Sequence, residues 1–223
     1  MSRLYLGIET ATPTTTVALV NARDERGEDE VVAEHSHSDA RRHGEVLPGL
    51  IADVLAQAGV TADDVDVVVV GVGPGAYTGL RVGIATAQAL GLTLSVPVVG
   101  AVTLDAIAFG TQRTDPFVVV TDARRREVFY ARYDNYRRRA EDLRVVAQDL
   151  LASELRGDLP IIATSDTPVL PAVTPDAVVA VSAADVCALA IDRARHGVEQ
   201  QPVRPVYLRH PDVTPATSPK SVL

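Results

Sequence analysis

Residues Val67 to Gly83 read VVVVGVGPGAYTGLRVG. The four valines Val67 to Val70 have the composition of a strand buried on both faces. The run breaks at Gly71, Gly73, Pro74 and Gly75 and restarts at Tyr77 as a helix carrying Leu80, Val82, Ile84 and Ala87. A strand, a glycine-rich turn and a helix N-terminus gather backbone N–H groups that lack intrahelical partners, and the helix dipole favours an anion there. Phosphate binding is therefore the first chemistry to test. A P-loop needs Lys followed by Ser or Thr at the helix start, and no Lys precedes Lys220. The dinucleotide pattern G-x-G-x-x-A is met by Gly71, Gly73 and Ala76. However, Pro74 sits inside the turn, and no acid follows the next short strand, Pro97 to Val99. The plainer role of Gly71, Gly73, Pro74 and Gly75 is architectural, a loop joining strand to helix with no phosphate on it.

Other residues invite other chemistry. The threonines Thr10, Thr12, Thr14, Thr15 and Thr16 follow a strand ending in Glu9, and a later strand ends in Asp122. Hydroxyls in such a turn can donate to phosphate, and two acids can orient a hydrated magnesium. The second turn, however, carries Arg124, Arg125 and Arg126 instead of glycines that would let the backbone close on a phosphate. His35 and His37 share one face of a strand end and His43 lies nearby in sequence, which is open to a three-histidine metal site. The plainer reading is exposed residues on an edge and at a helix start. No G-x-S-x-G elbow occurs, and Ser36, Ser38 and Ser165 lack a strained strand-to-helix turn. Cys187 stands alone in an apolar helical pattern, so neither an intramolecular disulfide nor a cysteine zinc site is expected.

Periodicity supplies the elements that must position these groups. Strands are expected at Leu4 to Glu9, Thr16 to Val20 and Val31 to Ser36, with a charged loop from Asn21 to Glu30. A helix follows from His43 to Ala58, closed by Gly59. After the Val67 to Val70 strand come a helix from Tyr77 to Leu90, the strand Pro97 to Val99, and a short helix capped by Thr103 and ending near Phe109. The second half opens in the same way: Phe117 to Thr121 ends in Asp122, turns, and returns as Val128 to Tyr133. Two acid-tipped hairpins make a weak internal repeat. Strands at Leu143 to Val146, Ile161 to Thr164 and Ala177 to Ala180, and a helix from Ser182 to Arg195, complete the chain. This is an α/β pattern with two lobes, residues 1–110 and 111–210, and a mobile tail over 211–223.

Composition narrows the class. With 223 residues and 47% hydrophobic content the chain can bury a sizeable core. No apolar run reaches the length of a membrane span and no signal peptide is expected, so the default compartment is the cytoplasm. A net charge of −8 argues against gripping RNA phosphates unaided. The exceptions, Arg124 to Arg126 and Arg137 to Arg139, read most simply as solvated turns.

The segment GPGAYTGLRVG followed by ATAQALG, Gly73 to Gly91, resembles the bacterial TsaB (YeaZ) proteins. So do LGIETATPTTTVA from Leu6 to Ala18 (where Asp is more usual at Glu9), TDARRREVFYARY from Thr121 to Tyr133, and PVYLR from Pro205 to Arg209. Four matches in order span almost the whole chain. The resemblance implies the two-lobed actin-like ATPase (ASKHA, ribonuclease H-like) fold with a degenerate nucleotide site, of which Glu9, Thr10, Thr12 and Asp122 would be the remnant. It implies a non-catalytic dimerisation subunit in making N6-threonylcarbamoyl-adenosine in tRNA, without cofactor. Its partners would be a TsaD-type catalytic subunit and a TsaE-type ATPase subunit. Alone it would form a homodimer, and its contact with tRNA would be mainly indirect. Sequences of this family have also carried a glycoprotease label, yet nothing here supplies a peptidase's water-activating group. In the catalytic TsaD relatives two histidines one helical turn apart hold a metal; by resemblance their positions fall on Thr103 and Ile107, neither able to replace a His ligand.

The surface left for a partner is helical. Val46, Leu47, Leu50, Ile51 and Val54 form a band wider than one sheet contact demands, and Gly79, Gly83 and Ala87 form a four-residue stripe beside Leu80 and Ile84. These ten residues are the expected partner interface, with packing on the chain's own sheet as the alternative. The enzyme-class rival is an actin-like small-molecule kinase or ATPase using Glu9 and Asp122. Purified protein is expected to carry no stoichiometric zinc or iron and to hydrolyse ATP no faster than a blank. Stoichiometric metal by elemental analysis, lost on replacing His35 or His37, would reverse that expectation.

Overall fold

A hairpin of the same design opens each half of the chain, and each hairpin recruits parallel strands on one side only. Strands β1 (Arg3–Glu9) and β2 (Thr14–Ala22) run antiparallel, with Arg3 opposite Ala22 and Glu9 opposite Thr16. β3 (Glu30–Ser38) adds antiparallel to β2. Beyond helix α1 (His43–Ala58), β4 (Val67–Gly71) lies parallel to β1; beyond α2 (Tyr77–Leu94), β5 (Val98–Ala101) lies parallel to β4. The first sheet has the order β3-β2-β1-β4-β5. Helix α3 (Thr103–Gly110) leads to β6 (Phe117–Arg124) and β7 (Glu127–Asn135), antiparallel, with β8 (Arg138–Arg139) and β9 (Arg144–Ala147) both antiparallel to β7. After α4 (Leu151–Glu154), β10 (Ile161–Thr164) pairs parallel with β6 and β11 (Ala177–Val179) parallel with β10. The run β9-β7-β6-β10-β11 thus repeats β3-β2-β1-β4-β5 strand for strand, so the repeat seen in two hairpins extends across both sheets. Helix α5 (Ala183–Arg195) returns to the first sheet. The computed structural model describes residues 2–209 other than 24–27, 40, 156, 169, 171 and 172, so the expected tail, 211–223, lies outside the described residues.

The valine run of β4 is uniformly apolar because both faces of the first sheet are covered. Val68 and Val70 pack with Leu47, Ile51 and Val54 of α1 and Ile84 and Ala87 of α2, while Val67 and Val69 pack with Val186, Leu189 and Ala190 of α5. Local chemistry fixes the helix ends. Gly59, at φ +68°, closes α1 with its N–H on the Ala56 carbonyl, and Val60 N–H reaches the Leu55 carbonyl. Ser182 caps α5, its hydroxyl accepting from Ala184 and Asp185 N–H, and Glu34 of β3 sets a carboxylate against the same helix end, 2.8 Å from Ala183 N. Gly91 does not stop α2, because it is buried against Val98; the helix runs on to Leu94, and Ser95 in a left-handed conformation ends it. Thr103 is not the cap of α3: Val102 takes that place and Thr103 is the first helical residue.

Helix α3 joins the lobes. Leu104, Ile107 and Ala108 belong to the core of the second sheet, Ala106 and Phe109 to that beneath α5. Its Asp105 accepts from Tyr133 Oη and Arg139 Nη1, both at 2.9 Å, and from Arg193 Nη2 at 3.4 Å, drawing β7, β8 and α5 onto one carboxylate. Burial, then the charge of Asp105, pushes the Tyr133 phenol well above its usual range. Among the described residues no helix is long and apolar enough to cross a membrane.

Asp185, in the first turn of α5, lies so close to Gly110 that a side chain there would strike its carboxylate. Burial first, and the charge of Glu34 second, raise its carboxyl from 3.8 to about 6. The folded protein therefore holds this proton more tightly than the unfolded chain. The group's stabilising contribution is complete below pH 3.8 and is lost as pH rises through about 6. Asp185→Asn is expected to raise the thermal midpoint at pH 7 and to flatten its pH dependence across that window. Unfolding curves with the same slope for both proteins would contradict this.

Candidate functional site

At the end of the central strand β1, Glu9 has no exposed surface. Its Oε1 accepts from Ala11 N–H at 2.5 Å and its Oε2 from the Thr103 hydroxyl at 2.7 Å. That hydroxyl in turn accepts from Gly73 N–H at 3.2 Å, and Thr103 N–H donates to the Gly73 carbonyl at 2.8 Å. Gly71 lies so close that any side chain there would overlap the Glu9 carboxylate. Burial raises the Glu9 carboxyl above its ordinary value, against the lowering by the bonds from Ala11 and Thr103, and Asp166 nearby raises it further. The acid expected to orient a hydrated magnesium is thus engaged by the chain itself.

The threonine turn is engaged in the same way. Thr10 is buried and its hydroxyl donates to the Gly79 carbonyl at 2.8 Å; the Thr12 hydroxyl donates to the Thr14 carbonyl at 3.3 Å. Thr14 bonds Ser38, and Thr15 bonds Nδ1 of His43 at 2.6 Å. The turn lies against α2, where Gly75 meets Ala11, Gly79 the Thr10 carbonyl and Gly83 the Thr10 hydroxyl. The Ala76 N–H at the head of the helix donates to the Ala11 carbonyl at 3.1 Å. The glycine stripe of α2 therefore receives the chain's own β1–β2 turn, which covers the backbone that an anion would need. Of the loop glycines, Gly73 alone has positive φ, at +93°. In the second lobe Asp122 accepts from Arg124 N–H at 2.8 Å, with Arg124 Nε 3.5 Å away.

The expected partner residues divide. Leu47, Ile51, Val54, Leu80, Ile84 and Ala87 pack within the chain's own core and Gly79 and Gly83 beneath its turn, whereas Val46 and Leu50 stay partly exposed. The histidines do not converge: His43 is buried on Thr15, its imidazole lowered chiefly by burial, while His35 bonds Gln57 at 2.7 Å. Among the described residues no group of three or more His, Cys, Asp or Glu is arranged to hold a metal. Cys187 is buried, and burial pushes its thiol up. Thr103 and Ile107 are both buried; the first holds Glu9 and the second fills the core of the second sheet. Thr103 was legible as a helix cap and, by resemblance, as the position of a metal-ligand histidine in the catalytic relatives, but not as the partner of Glu9. Its one local signal is a small polar residue between the apolar Ala101-Val102 and Leu104.

The family model described as TsaD, tRNA N6-adenosine threonylcarbamoyltransferase, matches residues 30–158. The fold is that of YeaZ from Pseudomonas aeruginosa, with a TM-score of 0.72 at 27% identity over 92% of this chain and 100% of that one. The chain belongs to the TsaB (YeaZ) family. TsaB of Escherichia coli K12, named for tRNA threonylcarbamoyladenosine biosynthesis, is 34% identical over 131 residues, 57% of this chain and 54% of that one. A Mycobacterium tuberculosis protein described only as uncharacterised is 39% identical over 222 residues, 94% of this chain and 93% of that one. The doubled sheet is accordingly the two-lobed actin-like fold of the ribonuclease H type. In this TsaB-family chain the strand-end acid of the first lobe works as a latch between β1, the glycine loop and α3.

Replacing Thr103 by Val would strip that latch of its hydroxyl, leaving a Glu9 oxygen and the Gly73 N–H buried without partners. A loss of about 2–3 kcal/mol is expected for Thr103→Val in denaturant unfolding, with Thr103→Ser largely restored. Equal stability of Thr103→Val and wild type would show that the hydroxyl is dispensable.

Proposed function

We propose that this chain is the non-catalytic dimerisation and activating subunit of the complex that adds the threonylcarbamoyl group to N6 of adenosine 37 in tRNAs reading ANN codons. Membership of the TsaB family supports a role in tRNA threonylcarbamoyladenosine biosynthesis. The observation that carries the non-catalytic part is Thr103. Where the resemblance puts a metal-binding histidine of the catalytic relatives, a buried hydroxyl holds Glu9, and one turn on Ile107 has no lone pair to offer. The residues present do not fit a metal. In this reading a TsaD-type subunit brings the metal and the threonylcarbamoyl-adenylate, a TsaE-type ATPase joins the pair, and the chain self-associates when alone. The kinase or ATPase alternative would use Glu9 and Asp122; Glu9 already accepts from Ala11 N–H and the Thr103 hydroxyl, and Asp122 from Arg124 N–H.

The partner surface in this reading is the outward side of α1 and α2. On α1 it comprises Gly44, Pro48, Gly49 and Ala52, with Val46 and Leu50 at its margin; on α2, Ala85, Ala89 and Leu92. Leu92 is 83% exposed, and among the described residues nothing lies within 4 Å of where a Cβ on Gly44 or Gly49 would stand. Two glycines and a proline in one helix cost helix stability, at about 1 kcal/mol for each Gly and about 3 for an interior Pro. No neighbour among the described residues uses the room that Gly44 and Gly49 leave, while a second helix backbone would.

A carboxylate set into this face should be tolerated by the free subunit and oppose association. Ala52→Glu and Ala89→Glu are expected to fold as wild type by circular dichroism and to weaken binding to the catalytic subunit by about a hundredfold, with tRNA modification lost in the reconstituted system. Folded variants that lose the complex yet modify tRNA normally would refute the scaffold role.

A further inference from the structure

The face of the second sheet that carries α4 ends in a polar hollow that the scaffold role leaves unused. Tyr130 and Arg132 of β7 are two residues apart and so share this face, and Arg144 of β9 stands directly across from Tyr130. Leu151 of α4 packs with Tyr130 in the core beneath. That contact brings Glu154 to the same corner, where the Tyr130 hydroxyl donates to its carboxylate at 3.3 Å. Glu141 lies in the link from β8 to β9. Arg132, Glu141, Arg144, Ser153 and Glu154 line a hollow of about 290 Å³.

The charges here are equal in number and loosely matched. Arg132, with 15% of its side chain exposed, donates from Nη2 to the Glu154 carbonyl at 2.8 Å, while its Nη1 lies 3.7 Å from Glu141. Arg144 Nη1 lies 3.5 Å from the Glu154 carboxylate. A tight charge-assisted bond spans about 2.7–2.9 Å, so both pairs are slack. Slack pairs that involve half-exposed side chains add little to stability, and a ligand displaces them easily. The bond from Nη2 fixes the Arg132 guanidinium and leaves Nη1 for an incoming acceptor. Among the described residues the Glu141 carboxylate accepts no hydrogen bond. Ser153 donates its hydroxyl hydrogen to the Leu150 carbonyl at 2.7 Å, so its oxygen is left as an acceptor.

Charge balance selects the ligand. Two guanidinium groups and two carboxylates carry no net charge, so the hollow as a whole favours neither a simple anion nor a simple cation. A molecule with both signs a few ångströms apart meets both ends at once. No apolar side chain lines the hollow, and its volume is at the small end for a ligand site, so the molecule is small and polar. We propose that this hollow binds a small zwitterion of the α-amino-acid class, its carboxylate between Arg132 and Arg144 and its ammonium on Glu141, Glu154 and the Ser153 oxygen. Every residue of the site belongs to the second lobe, away from α1 and α2, so the proposal does not depend on the tRNA-modification reading.

The test is an NMR titration of amide signals in the full chain with L-alanine, and with propionate and ethylammonium, which each keep one of its two charges. L-alanine is expected to shift signals of β7, β9 and α4 with a Kd of about 1 mM, and each single-charge probe to bind about tenfold more weakly or worse. Glu141→Gln and Arg144→Gln change exposed side chains and should fold normally by circular dichroism. Each is expected to weaken L-alanine about tenfold, and Glu141→Gln to leave propionate no weaker than in wild type. Propionate binding as tightly as L-alanine would overturn the proposal, since it would make the hollow an anion site. Absence of saturable shifts in these elements with L-alanine would overturn it too, whether or not the chain supports tRNA modification. So would wild-type L-alanine affinity in both folded variants.

Discussion

A carboxylate with no exposed surface has to be met by donors, and in this fold the position of several elements follows from meeting that demand at Glu9. Leaving its oxygens unpaired would cost several kcal/mol, so Ala11 N–H and the Thr103 hydroxyl are obligatory neighbours. Thr103 can reach Glu9 only if α3 begins directly beneath the glycine loop, and the exchange of bonds between Thr103 and Gly73 holds it there. Gly71 must then be glycine, because the carboxylate fills the space of its missing side chain. Two residues further along α3, Asp105 collects Tyr133, Arg139 and Arg193 from β7, β8 and α5. The first sheet, the linking helix and the second sheet are thus joined through two acids, Glu9 held by the first residue of α3 and Asp105 within its first turn.

The same packing decides what the glycine-rich loop can do. A strand, a glycine turn and a helix start are the makings of an anion site when the helix N-terminus faces a cleft. Here the β1–β2 turn lies across it, its Ala11 carbonyl on Ala76 N–H and its Thr10 pressed between Gly79 and Gly83. Small residues on α2 make room for this turn, and the turn's hydroxyls and carbonyls satisfy groups that a phosphate would otherwise meet. The residues have the types expected of a nucleotide site, while their hydrogen bonds run to one another.

Much of the architecture was legible because periodicity reports burial. The valine run of β4 announced a strand covered on both faces, and the acid-tipped hairpins announced the repeat that the sheets complete. The two-residue β8 and four-residue α4 are shorter than any period and left no signal. The site was harder to read, since burial of a polar side chain depends on partners distant in sequence. Thr103 and Glu9 are 94 residues apart, and only the fold brings them together. The apolar band of α1 misleads for a related reason. That helix sits in a corner, against β2 and β3 on one side and α2 on the other, so most of a band wide enough for two contacts is filled within the chain, with Val46 and Leu50 left partly exposed.

The two hairpin turns, alike in topology, have been put to opposite uses. The first is threonine-rich, buried and tied beneath α2, where its polar atoms hold the lobe together. The second carries three arginines in left-handed backbone, open to solvent, and its Arg124 carbonyl accepts from Arg209. A turn that served only to reverse the chain would favour glycine or asparagine at such φ values, which adopt them at little cost. Arginine brings neither ease of turning nor burial at these positions. What it brings is exposed guanidinium groups, on a chain whose net charge is −8. The physical asymmetry between the turns is therefore one of burial: the first lobe's turn packs beneath α2, and the second lobe's turn is presented outward.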